Sequence, residues 1–333
     1  MRFKRKYLLR IALNPNITES PSTLKINQSS SAGTILPVTQ GDVCSIPDDL
    51  DEDAIGFHNH QMTANITYSK DKTNTATIVL YNVSRETQRK IKPDSIIILQ
   101  AGYEGDEELP YIYAGQIVQV LPSKVNADRM LKLVCGSGVA IQRNLRMSYT
   151  FTPGSSYRVV INRIIQEIQK YGIPLGEFRT TPQNQPKNTP SGVPTSRLDL
   201  VPSSFSVEGN LFTSLERVLD MVGFHYYIMH GKLYIEPAEL GAGLVKTIID
   251  DGQIINNIEP KQESGGSLSG DNKNKSGLKV STLLNGEFHL DSFIELTNED
   301  YAGVYNPETI SHALNYEGNE WFTTLNLTEA SVE

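Results

Sequence analysis

Cysteine is nearly missing from this chain: Cys44 and Cys135 are the only two in 333 residues. Two isolated thiols make neither a disulfide framework nor a cysteine-based zinc site, so a reducing compartment is the expected place of assembly. Tryptophan occurs once, as Trp321 on a strand-like segment, which leaves no tryptophan cluster for stacking sugars. Long apolar runs are also lacking; nothing approaches the roughly 18 consecutive apolar residues of a membrane span. The basic N-terminal stretch is broken by Arg10 and is followed by no small-residue cleavage site, so it is expected to be structure rather than a leader. Phe3, Tyr7, Leu9, Ile11 and Leu13 fall on alternate positions and predict an edge strand guarded by Lys and Arg. Positive charge is in deficit, with 30 Lys and Arg against 38 Asp and Glu and a net charge of −8. A non-specific DNA binder needs a basic face, whereas an acidic one repels phosphates.

Recognisable chemistry is equally thin. His58-Asn-His60 would place two imidazoles on one face of an extended segment, but a structural zinc needs about four ligands and no neighbours supply the rest. Asp49, Asp51 and Asp53 imitate the start of a calcium loop, yet Ala54 stands where that loop needs Gly and His60 where it needs Glu. Gly136-Ser-Gly138 lacks the third glycine of a dinucleotide fingerprint, and no Gly-x-Ser-x-Gly elbow occurs. Two carboxylates suffice for a glycosidase, but the chain has no spare segment of hydrolase size. The expectation is a protein that is not an enzyme and holds no cofactor or metal.

What is present is strand patterning. Residues 76–105 read as a strand, one turn of helix capped by Ser84, a stop at Pro93, and an apolar strand over 95–100 suited to burial on both faces. Asp94-Ser-Ile-Ile-Ile-Leu-Gln100 is echoed by Asp291-Ser-Phe-Ile-Glu-Leu-Thr297. Each is followed by a polar loop and a pair of alternating strands. The first pair begins at Gly115 and Met130; the second begins at Thr309 and Trp321, with a turn at Tyr316-Glu-Gly-Asn319. This predicts one β-module used twice. Between the copies, residues 155–171 and 210–222 carry helical spacing, and a hairpin turns at His230-Gly231. The class is α+β, mainly antiparallel β. The first module takes residues 1–145, with a long excursion at 14–56; a helix-containing insert takes 146–255; a flexible loop takes 256–277; the second module takes 278–333.

The order strand, Tyr81-Asn-Val-Ser84, helix, strand, Ala101-Gly-Tyr103 resembles the tube-like β-domain of baseplate hub proteins from contractile-tailed phages. The segment from Thr309 to Leu327 is similar to the closing hairpin of such hubs. The resemblance implies two tube-type β-barrel modules per chain and a homotrimeric ring that imitates six-fold symmetry. Such a ring joins the hexameric tail tube protein to the trimeric central spike protein, meets the tape measure protein and other baseplate proteins, and leaves a lumen through which phage DNA passes without specific binding. It further implies a virion location after assembly in the host cytoplasm, without membrane insertion. The acidic turn Glu104, Asp106, Glu107 and Glu108 is the candidate lumen lining; its plain alternative is a polar strand connection. Other readings are the hub of a related contractile injection particle, a distal tail protein, or, in a different class, a host-glycan-binding β-module.

Overall fold

A computed structural model describes residues 4–12, 54–69, 74–136, 145–170, 173–178, 195–200, 205–229, 231–237, 245–248, 254–255, 258–261, 277–290, 292–297 and 300–329. The body of the molecule is a 13-stranded sheet. Its first half holds β1 (Arg5–Ala12), β2 (Ala54–Phe57), β3 (Met62–Ser69), β4 (Thr75–Tyr81), β5 (Ile96–Tyr103), β6 (Tyr111–Val125) and β7 (Asp128–Gly136). Its second half holds β13 (Val245–Ile248), β14 (Glu259–Lys261), β15 (Gly277–Leu283), β16 (Phe293–Leu296), β17 (Gly303–Asn315) and β18 (Trp321–Glu329). Alternation along these strands places Ile78, Leu80, Ile97, Leu99, Leu133, Val280, Ile310 and Leu325 in one apolar core.

The first signature folds as its residues predict. Helix α1 (Arg85–Lys90) is a single capped turn in which Ser84 Oγ accepts the Thr87 amide at 3.1 Å. It buries none of its residues, so it serves as a connection rather than a core element. β5 departs from expectation. Ile97 and Leu99 are fully buried while Ile96 and Ile98 are half-buried, so its apolar run has one tightly packed face, not two. β1 is not an edge strand, because it pairs with β5 on one side and β2 on the other. β2 in turn takes residues 54–56 out of the expected excursion; residues 14–53, including Cys44 and the 49–53 acidic run, lie outside the described residues.

The insert has its own core. It comprises β8 (Arg146–Phe151), α2 (Tyr157–Lys170), β9 (Leu175–Phe178), α3 (Thr195–Leu198), β10 (Phe205–Asn210), α4 (Leu211–Val222), β11 (Phe224–Met229) and β12 (Lys232–Pro237). α2 buries Val160, Ile161, Ile164, Ile165 and Ile168, the stripe read from spacing. α4 starts where Asn210 accepts the Phe212 and Thr213 amides, and stops at Gly223, whose φ of 78° few other residues adopt cheaply. β11 ties the insert to the sheet: Ile228 packs in the insert, Tyr227 and Met229 pack in the main core, and Asn74 donates to the Ile228 carbonyl. β13 and β14 belong to the main sheet, so its second half begins ahead of residue 278.

Candidate functional site

The acidic turn lies between β5 and β6. Gly105 has φ 115°, and the Asp106 carboxylate turns back to accept the Tyr103 amide at 2.7 Å. A Cβ at Gly102 would sit 2.3 Å from that carboxylate, so the glycine makes room for it. Asp106 is therefore a structural turn residue as well as a charge. Glu104 is exposed and ion-paired with Lys4 at 2.9 Å; Glu107 is exposed and Glu108 half-exposed. The turn thus projects net negative charge from the end of β5, with Leu109 beneath it buried and its carbonyl accepting from Gln100 Nε2 at 3.1 Å.

The histidine pair does not share a strand face. Asn59 between them has φ 51°, which bends the segment after β2. The backbone of His60 is occupied by the buried Tyr7 hydroxyl, which its amide reaches at 2.9 Å. Among the described residues, no three or more His, Cys, Asp and Glu side chains converge in a way that could hold a metal. Cys135 is buried in the core, and burial pushes its thiol up to about 12, so it is inert as a nucleophile at neutral pH. The described residues contain no helix long and apolar enough to cross a membrane.

The surface on which the two halves meet is the feature that sequence reading did not find. β17 pairs antiparallel with β3, placing Ile310 opposite Tyr68, His312 opposite Ile66 and Leu314 opposite Ala64. All six are almost completely buried. Tyr68 donates to the Ile112 carbonyl at 2.7 Å, and His312 Nδ1 lies 2.9 Å from Thr323 Oγ1. A second clasp closes the far end. Arg5 of β1 donates to the carbonyls of Asn315, Gly318 and Asn319 in the β17–β18 turn, and its guanidinium lies 5.5 Å from the Trp321 ring centroid. Trp321 Nε1 donates to the Gly102 carbonyl at 3.2 Å, and the Tyr103 hydroxyl accepts the Leu284 amide at 2.9 Å. The single tryptophan is therefore buried at a joint between modules rather than displayed for a ligand. Alternation could have marked these residues as buried; only the pairing shows that they bury one module against the other.

No family model matches the chain, and no curated protein sequence matches it. Solved structures do. The tail protein from Neisseria meningitidis MC58 aligns with a TM-score of 0.58 at 10% identity, over 84% of this chain and 94% of that one. The 43 kDa tail protein of prophage MuSo2 from Shewanella oneidensis gives 0.56 at 9% identity, over 83% and 94%. The E. coli c3393 protein, a type VI secretion component described as structurally similar to the T4 tail proteins gp27 and gp5, gives 0.54 at 10% identity, over 82% and 74%. At these identities the likeness is one of fold: this chain has the α+β, mainly antiparallel fold of bacteriophage tail proteins and of their type VI secretion counterpart.

Proposed function

We propose that the chain is a structural virion protein, a baseplate hub whose three copies form a ring between the hexameric tail tube and the trimeric central spike. One observation carries this reading. The two halves have the same strand order, β4–β7–β6–β5 in the first and β15–β18–β17–β16 in the second, all antiparallel. A chain built from two such modules, joined side by side in one sheet, presents six similar units when three copies close a ring. That is what an adaptor between six-fold and three-fold partners requires. The fold likeness to tail proteins supports the same reading.

In this role the protein works by being rigid. The buried seam and the Arg5 clasp hold the modules at a fixed angle, and no substrate is turned over. The tape measure protein and other baseplate proteins are further expected neighbours. The acidic turn at 104–108 is assigned to the lumen, where it would repel passing DNA. A hub of a related contractile injection particle is the second reading, favoured by the likeness to a type VI secretion component.

Negative-stain electron microscopy of the purified chain, alone and with the candidate spike protein, tests the proposal. Three-lobed rings with a central hole are expected. Particles that remain single chains at all concentrations and with the spike would overturn it. Addition of the protein to cell-wall suspensions is expected to leave their turbidity unchanged; clearing would show a hydrolase instead.

A further inference from the structure

β5 has the sequence of a strand covered on both faces, and its own chain covers only one. The run Ile96-Ile97-Ile98-Leu99 is apolar throughout, the pattern of a strand buried above and below. Ile97 and Leu99 fill the core, whereas Ile96 and Ile98 lie on the opposite face and are half-buried. The register shows what surrounds them. Arg10 of β1 stands beside Ile98, and Ala12 beside Ile96. Across β5, Ala114 and Gln116 of β6 stand beside the same two isoleucines. β2 extends the face, with Gly56 next to Arg10 and Ala54 next to Ala12. Among the described residues no helix packs across these four strands.

The polar atoms of this face lack partners. Arg10 Nε and Gln116 Oε1 are both shut off from water, and neither makes a hydrogen bond. Such atoms are costly to bury unpaired, and native structures leave few of them so. One is a donor and the other an acceptor, and they flank the isoleucine pair diagonally. No carboxylate occupies the outward positions beside them. Arg10 therefore makes the face locally cationic on a chain whose net charge is −8.

We infer that this face of β1, β2, β5 and β6 receives an amphipathic helix of a neighbouring protein, with an apolar stripe over Ile96 and Ile98 and a carboxylate at Arg10. Strand addition is not open to the face. β1 and β5 each have a strand on both sides, so only side chains packed from above can cover them. The large apolar side chains form one narrow row, which matches the stripe of a helix rather than the broad face of a second sheet. Ala12, Ala54, Gly56 and Ala114 are small, and they leave space around the isoleucines for larger side chains from the helix. A carboxylate gives Arg10 the acceptor it lacks, in the charge-assisted form that guanidinium groups favour. A side-chain hydroxyl or amide of the same helix can donate to Gln116. A membrane fits less well, because half-buried isoleucines do not project and lipid tails offer no donor to Gln116. The inference concerns one face of the first module and stands apart from the ring.

Fluorescence anisotropy with two synthetic helical peptides tests it. Both carry a leucine stripe at helical spacing on an alanine background. One has a single Glu within the stripe, and the other has Lys in the same place. The full chain should bind the Glu peptide about tenfold more tightly than the Lys peptide. Arg10→Glu should reverse that order and Arg10→Gln should abolish it, both with unchanged circular dichroism spectra. Equal affinity for the two peptides, or an order indifferent to Arg10, would overturn the proposal. Three further results would overturn it by naming another occupant. Self-association by light scattering that is lost in Arg10→Glu would assign the face to a second copy. Ala12 and Ala54 are register partners, so a short turn can replace the residues between them. Binding of the Glu peptide only after that replacement would assign the face to residues 14–53 of this chain. Uptake by phosphatidylglycerol vesicles in preference to either peptide would assign it to a membrane.

Discussion

His312 is the residue at which the seam is most exposed to chemistry. Its ring is fully buried, with one nitrogen beside Thr323 Oγ1, Nε2 without a hydrogen-bond partner, and the Tyr68 ring 6.0 Å away. Burial lowers its pKa from 6.5 to about 3, so the folded protein holds it neutral. The unfolded chain binds the extra proton first. The stability contribution is therefore complete above pH 6.5 and is lost as pH falls toward about 3, at roughly 1.4 kcal/mol per pH unit. His312→Leu should flatten the pH dependence of chemical denaturation across that window; an unchanged slope would remove His312 as its cause. Asn210 and Gly223 define the ends of α4 in the same local way. Asn210→Ala should cost about 1 kcal/mol through loss of Oδ1, the acceptor shared by two amides, read as a shifted denaturation midpoint. At Gly286 a Cβ would stand 2.6 Å from the Tyr111 carbonyl oxygen, a backbone atom that cannot step aside. Gly286→Ala is expected to destabilise the first half through a residue of the second.

Among elements, the helices of the insert contrast with the strands that flank them. α2 and α4 pack their apolar stripes on each other, and α4 also packs on β11, within a core separate from that of the sheet. The two cores meet through β11, where Tyr227 stacks on Tyr234 at 5.2 Å. Leu219 is fully buried in the insert core. Leu219→Ala should remove about 2–5 kcal/mol from that core alone. Scanning calorimetry should then show the insert melting at lower temperature while the sheet transition stays in place; a single transition moving as a unit would mean that the two cores unfold as one. β6 is the opposite kind of element: its first half is covered by β5, and its last residues, from Leu121 onward, stand in solvent beyond β5.

For the whole molecule, the acidic turn and the Arg5 clasp are the features that substitution can probe. Reversing the turn with Glu104→Lys, Glu107→Lys and Glu108→Lys leaves Asp106 to hold the loop, so folding should survive. If the turn lines the lumen, rings of that variant should retain a DNA fragment on a filter at low salt and release it as salt rises, while native rings let it pass. Arg5→Ala removes three carbonyl contacts and the ring contact with Trp321. It is expected to loosen the clasp between modules, read as faster amide exchange in the β17–β18 turn with the insert unaffected.

Local patterns in the chain determined the elements. Ser84 and Pro93 bound a one-turn helix, isoleucines at helical spacing make α2, and the Asp94 and Asp291 segments announce a repeat, because capping and alternation act over a few residues. Tertiary structure decided how those elements meet. That β17 lies against β3, that β1 is interior rather than an edge, and that Trp321 is clamped by Arg5 depend on residues tens to hundreds of positions apart, and a strand's alternation says which face is buried but never which strand covers its edge. The same physics covers β17 with β3, whereas among the described residues the end of β6 from Leu121 onward pairs only with β7.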